Sequence, residues 1–493
     1  MGFGLSVDRH AAGSMLFFCF KITEINCPKT AFSLKPSLFF RRKECHLRAE
    51  DLVSELFKHL PKASVMTSDD VGYDAGRRVW NGMFDRYPVA IVFPETATEI
   101  STIVKLMATT DLPLAVRCGG HSIPGLSTCD GGVIIDLSRM TNIRVDPEAR
   151  IAVVCGGALL GDLDKAGEPY GLITPAGVIS HTGVGGLTLG GGMGWTSRRF
   201  GMTVDSLLSV EIVIANGDIV RASPTSEPEL FWGLRGGGGN FGVVTEFTFR
   251  MHPVGKVTAG HWMYNPDHGL DILHNFAKAA ALAPRSVTVA LNVTATYISI
   301  AACHSGDDPY PESLIRPFGT LGSATQAEMS ERAFVEFQSQ HDEIMGWGRR
   351  IYNRGGFVAD ISPAVATAML DHVRETPSPD CEIYVLQLGG AITDIAEDAT
   401  AYSGRDAGFY WIVQPVWDDP ALDEACLAWG RKGARTLAAL SMERNYVNEQ
   451  GDVGNDVARQ AYGAEKYRRL AQLKARFDPH NLFRLNQNIR PEA

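Results

Sequence analysis

Residues Arg117-Cys118-Gly119-Gly120-His121 end a short apolar run in a glycine turn that carries an imidazole, with Ser122, Gly125 and Ser127 just beyond. A glycine pair lets the backbone approach a ligand closely, and successive N–H groups can line an anion-binding hollow. The histidine then projects beside whatever the amides hold. A second segment, Gly183-Val-Gly-Gly-Leu-Thr-Leu-Gly-Gly-Gly-Met-Gly194, has seven glycines in twelve residues, and a third reads Arg235-Gly-Gly-Gly-Gly-Asn-Phe-Gly242. Three such runs favour a large phosphate-bearing cofactor over three unrelated turns. The third contains a formal G-x-G-x-x-G, but a helix is predicted before it and a strand after it, the reverse of a dinucleotide fingerprint.

Further residue types could handle a substrate. Tyr446 and Asn448 lie two apart in a segment read as a strand, so they share a face. A phenol takes a substrate proton only if a positive neighbour or the edge of a bound cofactor lowers its pKa. In the predicted strand Glu382-Ile-Tyr-Val-Leu-Gln-Leu388, alternation puts Glu382, Tyr384 and Leu386 on one face and Ile383, Val385 and Gln387 on the other. Which face points inward is open, so Glu382, Tyr384 and Gln387 are all candidates. Arg349 and Tyr352 are candidates for the pocket lining, and His181 for a contact in the second glycine region. Cys118 and His121 have metal-like spacing but no second ligand pair, so no metal is expected. No G-x-S-x-G elbow is present.

These residues need elements to position them. Strands are predicted at Ala90–Phe93, Leu114–Arg117, Val133–Leu137, Ile151–Val154 and Val243–Arg250, with a hairpin over Leu208–Val220 turning at Asn216-Gly217. Helices are predicted at Thr98–Ala108, Leu159–Ala166 and Glu229–Leu234. Further on, the pattern predicts strands at Val287–Ile300, Glu382–Leu388 and Phe409–Val416. Helices are predicted there at Gly269–Leu282, Thr325–His341, Ala364–Glu375 and Leu422–Leu440. Long helices between spaced strands imply an antiparallel sheet with helices on one face. The tail is read as a helix over Gly463–Phe477 followed by an extended end. The fold class is α+β.

A chain of 493 residues exceeds one ordinary core. Its net charge of −10 argues against a general nucleic-acid binder. Nine scattered cysteines without a C-x-x-C suit neither a disulfide framework nor a zinc site. The first 48 residues carry eight Lys/Arg against three acids, and their longest apolar run, Met15–Phe20, is too short for a secretory signal. Residues 1–50 are read as a poorly ordered extension, and a cytoplasmic location is expected.

Taken together, the three glycine segments, Val133-Ile-Ile-Asp-Leu-Ser138, Leu230-Phe-Trp-Gly-Leu-Arg235, Asn445-Tyr-Val-Asn448 and Phe477-Asp-Pro-His-Asn-Leu-Phe-Arg484 resemble the berberine-bridge-enzyme-like branch of the vanillyl-alcohol oxidase and p-cresol methylhydroxylase superfamily. The resemblance covers about residues 80–493. It implies a two-domain flavoprotein: a p-cresol methylhydroxylase-type FAD domain over 80–257, a substrate domain over 258–444, and a tail over 445–493 that completes the FAD domain. It implies FAD contacts from Arg117, Cys118, Gly119, Gly120, Ser122 and Gly125. It adds Thr182, Gly183, Gly185, Gly186, Gly190, Gly191 and Gly192, and finally Gly242, Val243, Val244 and Asn488. His121 is the implied covalent attachment point, to the flavin 8α-methyl. Many relatives add a cysteinyl bond; that position falls at Ile179, so the link is expected to be single. The implied reaction is hydride transfer from a small alcohol, sugar or cyclic amine, with electrons passed to dioxygen or another acceptor, and Tyr446 as base with Asn448 beside it. Two rivals stay open: a flavin-binding protein without catalysis, and an NADPH-dependent flavin reductase.

Overall fold

The structure is a computed structural model and describes residues 47–492. The expected extension over 1–50 lies almost wholly outside the described residues. Three sheets organise the rest. The first has four strands in the order Val65–Met66, Ala90–Val92, Val133–Asp136, Leu114–Arg117, the last three mutually parallel. The helix Ala97–Met107 starts where Thr96 Oγ1 accepts the Glu99 N–H at 3.2 Å, an N-cap. It buries Ile100, Ile103, Val104 and Met107 against Val92, Val133 and Ile135.

The second sheet is antiparallel, in the order Ile143–Asp146, Ile151–Cys155, Val243–Arg250, Leu207–Val213, Ile219–Ala222. The predicted hairpin is present, with Gly217 at φ +83° in its turn. The long helix Asn455–Phe477 comes from the tail and breaks at Gly463. It packs Tyr467, Leu470, Ala471 and Phe477 into the same core as Phe231, Trp232 and Phe247. Lys474, fully buried, pairs with Asp478 at 2.6 Å and donates to the carbonyls of Asn240 and Phe483. Asn240 also takes the Ile489 N–H at 2.9 Å. The tail is thereby tied to the third glycine segment.

The third sheet has seven antiparallel strands: Ala324–Ala333, Lys256–Tyr264, Ile298–His304, Val287–Val293, Glu382–Gln387, Phe409–Gln414, Arg354–Val358. Helices Gly269–Leu282, Pro363–Val373 and Asp423–Ala438 cover one face, burying Phe276, Met369, Trp411 and Trp429. Two expectations need correction here. Val287–Ile300 is a hairpin of two strands. Thr325–His341 is mostly strand, with a helix only at Phe334–Gln338. Its Ala, Gln, Glu and Met residues favour helix in isolation. Pairing with Lys256–Tyr264 overrides that preference, and the charged residues serve an exposed sheet edge.

Candidate active site

A cavity of about 690 Å³ lies between the glycine segments and the uncovered face of the seven-stranded sheet. On the glycine side it is lined by Cys118–Ser122, Thr182, Gly183, Gly185, Gly186, Gly238–Asn240 and Gly242–Val244. The sequence called nearly all of these. Their close packing explains the residue type: a Cβ on Gly119 would come within 2.3 Å of the Gly183 nitrogen. Gly120 sits at φ +70°, which turns the chain so that His121 meets the cavity.

Several expected cofactor contacts stand elsewhere. Arg117 turns away from the cavity and is buried; its guanidinium binds Asp136 at 2.7 Å and the carbonyls of Arg78 and Gly76. It braces the loop rather than lining it. Gly125 faces the Phe84 ring, and its carbonyl accepts from Arg86 at 2.8 Å. Gly190, Gly191 and Gly192 lie behind the wall. Their missing side chains make room for Asn448 at Gly190, for Met202, Tyr402 and Tyr446 at Gly191, and for Thr203 at Gly192. In the tail, Asn486 and Gln487 reach the cavity where Asn488 was expected. Cys118 lines the wall, but burial raises its thiol to about 11, which leaves it inert at neutral pH.

His121 stacks on Trp80 with ring centroids 4.5 Å apart. Its Nε2 lies 2.6 Å from Nδ1 of His181, and the Thr182 hydroxyl is 3.4 Å from its Nδ1. Burial and the neighbouring His181 push its pKa down to about 3, so the ring is neutral. His181 is therefore not on the cavity wall but directly behind His121.

On the sheet side, Glu382, Tyr384 and Leu386 face the cavity. Gln387 points the other way, and its Nε2 donates to the Ala280 carbonyl at 2.6 Å under the covering helix. It is no active-site residue. The neighbouring strand contributes Tyr410, Ile412 and Gln414, and the strand beyond Glu382 contributes Asn292. Tyr446 is not in a strand; it precedes a single 3₁₀ turn, Val447–Glu449. The turn still brings the pair together. The Tyr446 hydroxyl accepts from Asn448 Nδ2 at 2.7 Å and from the Gly192 N–H at 2.8 Å.

Glu449, which the sequence reading passed over, also lines the cavity, held by Asn353 Nδ2 at 2.7 Å. It directly follows Tyr446-Val-Asn448, and that adjacency was the available signal. Burial raises both Glu449 and Glu382 to about 7. Glu382 has only Asn292 Nδ2, at 2.9 Å, as partner. Tyr446 is pushed above the usual phenol range by burial, despite its two donors. Among the described lining residues there is neither lysine nor arginine, so no positive side chain of the wall lowers the Tyr446 phenol. Arg349 and Tyr352 are also outside the lining. Arg349 pairs with Asp380 and Asp418, and Tyr352 is buried beneath the sheet.

Comparison with known proteins fits this arrangement. An FAD binding domain model matches residues 88–223, and a berberine and berberine like model matches residues 445–490. An FAD-linked oxidoreductase of Dictyostelium discoideum is 30% identical over 84% of this chain and 91% of its own. The chain belongs to the FAD-linked oxidoreductases. Among solved structures, 6-hydroxy-D-nicotine oxidase from Arthrobacter nicotinovorans superposes with a TM-score of 0.81 at 27% identity, covering 87% of this chain and 98% of that one. Glucooligosaccharide oxidase from Acremonium strictum shares the fold (TM-score 0.81, 22% identity, 89% and 100% coverage). The molecule is thus an enzyme of the FAD oxidase and dehydrogenase class with a p-cresol methylhydroxylase-like fold.

The cavity of this FAD-linked oxidoreductase fits the cofactor on its own features. The N–H groups of Gly120, His121 and Ser122 have no acceptor within the described protein. A Cβ on Gly186 or Gly239 would meet no atom within 4 Å, so bare backbone faces the space. Asn486 Oδ1 and Gln487 Oε1 are buried without partners on the same wall. Unpaired donors, acceptors and exposed backbone are what a diphosphate and a polar ring system would satisfy. No group of His, Cys, Asp and Glu among the described residues could hold a metal, and no described helix is long and apolar enough to cross a membrane.

Proposed function

We propose that this enzyme oxidises a small alcohol, sugar or cyclic amine, with FAD held by a single covalent bond to His121. When bound, FAD supplies a two-electron acceptor for hydride from a substrate C–H bond, and dioxygen or another acceptor takes the electrons on. The observation that carries the reading is the pairing of two groups on one cavity. A neutral imidazole stands on the glycine wall, and the tail adds to the same cavity Glu449, a carboxyl that burial raises to about 7.

The glycine amides bind and orient the anionic part of the cofactor. His121 offers an unprotonated ring nitrogen, which bond formation to carbon requires. The link is taken as single because Ile179, which lines the cavity, stands at the position where the resemblance places the second attachment residue, a cysteine. The Acremonium enzyme, by contrast, is described as carrying a 6-S-cysteinyl, 8α-N1-histidyl FAD.

Glu449 is assigned as the proton acceptor. It shares the cavity lining with Tyr384, Tyr410 and Tyr446. Tyr384 and Tyr410 have buried hydroxyls without protein partners, ready to orient a polar substrate group. Tyr446, fixed by Asn448 and Gly192, positions rather than deprotonates. The test is direct. Acid precipitation of the purified protein should leave flavin colour in the pellet, and His121→Ala should move all of it to the supernatant. Anaerobic mixing with alcohols, sugars and cyclic amines should bleach the flavin band with one class. Bleaching by NADPH alone, or by nothing, would overturn the reading.

A further inference from the structure

The cavity lining can carry charge of one sign only. Among the described residues it holds two carboxyl groups, Glu382 and Glu449, and neither lysine nor arginine. Its three histidines are His121, His261 and His341. Burial lowers all of them below the usual imidazole range, so none supplies a cation at neutral pH. Glu449 has a task in the proposed reaction, but Glu382 has none. Its Oε2 accepts from Asn292 Nδ2 at 2.9 Å, and its carboxyl makes no other hydrogen bond among the described residues. A buried carboxylate without a counter-ion is costly, and a cation brought by a ligand removes that cost.

Strand register puts the two carboxyls at one end of the cavity. Gln414 lies directly opposite Glu382. On its other side, one residue past the Arg354–Val413 pair, stands Asn353, whose Nδ2 holds Glu449 at 2.7 Å. Glu382 and Asn353 are therefore two strand spacings apart, roughly 10 Å, with Gln414 between them. The opposite end is apolar. Two residues beyond Tyr384, the inward-facing row is Ala301, Ala290 and Leu386. A sugar carries hydroxyls on every side, and that row would leave some of them unpaired. A positive nitrogen on an apolar ring matches both ends.

We propose that the substrate is a cyclic amine with an apolar ring, bound as its cation, and that Glu382 is the counter-ion that selects it over a sugar or a neutral alcohol. The turnover half of this rests on the oxidase reading above; the binding half does not. In the step, the ammonium proton passes to the Glu449 carboxylate. The freed nitrogen pair enters the C–N bond, and the adjacent C–H bond breaks with its electron pair leaving as hydride to bound FAD. The product is an iminium cation. The nitrogen is thus positive on arrival and again after the step, and Glu382 serves both states.

The probe is benzyltrimethylammonium, a permanent cation with no nitrogen lone pair to drive hydride loss. Its neutral mate of the same shape is neopentylbenzene. Binding to the full-length, FAD-loaded protein is read from the shift of the flavin band and by calorimetry. The wild-type protein should bind the cation at least ~10-fold more tightly than the mate, the low end for a close charge pair. Glu382 ionises at about 7 and the probe is charged at every pH, so the preference should grow as pH rises through 7. Asn292 and Gln414 beside that carboxyl do not titrate, Asp380 is paired with Arg349, and burial holds the Tyr297 and Tyr384 phenols above their usual range. Glu382→Gln should weaken the cation about 10-fold and leave the mate unchanged. Glu382→Asp should keep most of the preference, and Glu449→Gln should weaken the cation less than Glu382→Gln does. Under anaerobic conditions secondary cyclic amines should bleach the flavin, and sugars and neutral alcohols should not.

A mate bound as tightly as the cation overturns the proposal, as does a preference that stays flat across pH 7. Both are read on the wild-type protein and decide even where Glu382→Gln fails to fold. Wild-type affinity for the cation in Glu382→Gln overturns it too. Bleaching by a sugar or a neutral alcohol and by no amine does the same, while the oxidase reading stands. Bleaching by NADPH alone, or by nothing, is the failure of that reading instead, and the binding arms still decide whether Glu382 seats a cation.

Discussion

The two walls of the cavity are built on opposite plans. The glycine wall presents backbone, and its charged residues turn outward to brace it: Arg117 onto Asp136, Lys474 onto Asp478. The sheet wall presents side chains, and its polar groups turn inward: Glu382, Tyr384, Tyr410 and, from the tail, Glu449. A backbone wall suits a ligand that is always the same, because amide donors are fixed by the fold and change little with sequence. A side-chain wall suits the variable partner, because single substitutions retune its charge and shape. The arrangement is consistent with FAD on the first wall and a substrate on the second.

The comparison can be broken at its bracing residues first. Arg117→Met strips the buried carboxylate of Asp136 of its cation, which should cost about 3–5 kcal/mol of stability. Thermal melts should show the loss, while the folded fraction bleaches with donor at the wild-type rate. A stable variant that has lost FAD would mean that Arg117 serves the cofactor after all.

The sheet wall makes the opposite prediction. Glu449→Gln should fold and keep its flavin but lower the rate of bleaching by about 100-fold, the range expected for a lost proton acceptor. A base must be ionised to act, and Glu449 ionises at about 7. The wild-type rate should therefore rise as pH increases through 7 and fall below it, and the variant should lose that limb. Tyr446→Phe should cost about 10-fold or less by comparison, within the scale of one lost hydrogen bond to a positioned group. Stopped-flow traces in which Tyr446→Phe is the slower of the two would reverse the assignment.

The smallest effect tests the orientation of the strand. Gln387→Leu removes one buried hydrogen bond under the covering helix, worth about 1 kcal/mol. The bleaching rate should not change, since the side chain faces away from the cavity. A change in donor preference would contradict that orientation.

The sequence was most legible where the structure is local. The Asn216-Gly217 hairpin and the helix Gly269–Leu282 stand where their residues put them. The glycine segments announced the cofactor wall because close approach of backbones restricts the residue type whatever the partner. Alternation in Glu382–Gln387 correctly grouped Glu382, Tyr384 and Leu386, yet it was silent on which group met the cavity. That choice belongs to the helices packed on the other face. The strand Ala324–Ala333 was misread because only pairing with Lys256–Tyr264 makes it a strand.

By itself, then, the sequence determined the fold class and the glycine segments that line the cavity beside His121, since close approach of backbones restricts the residue type whatever the partner. Tertiary structure alone decided that Arg117 braces the loop, that Glu449 joins the tyrosines, and that His181 stands 2.6 Å behind His121. Arg117 and Asp136 lie 19 positions apart in the chain, and His121 and His181 lie 60 apart. Only the packing of the finished sheets fixes such distances.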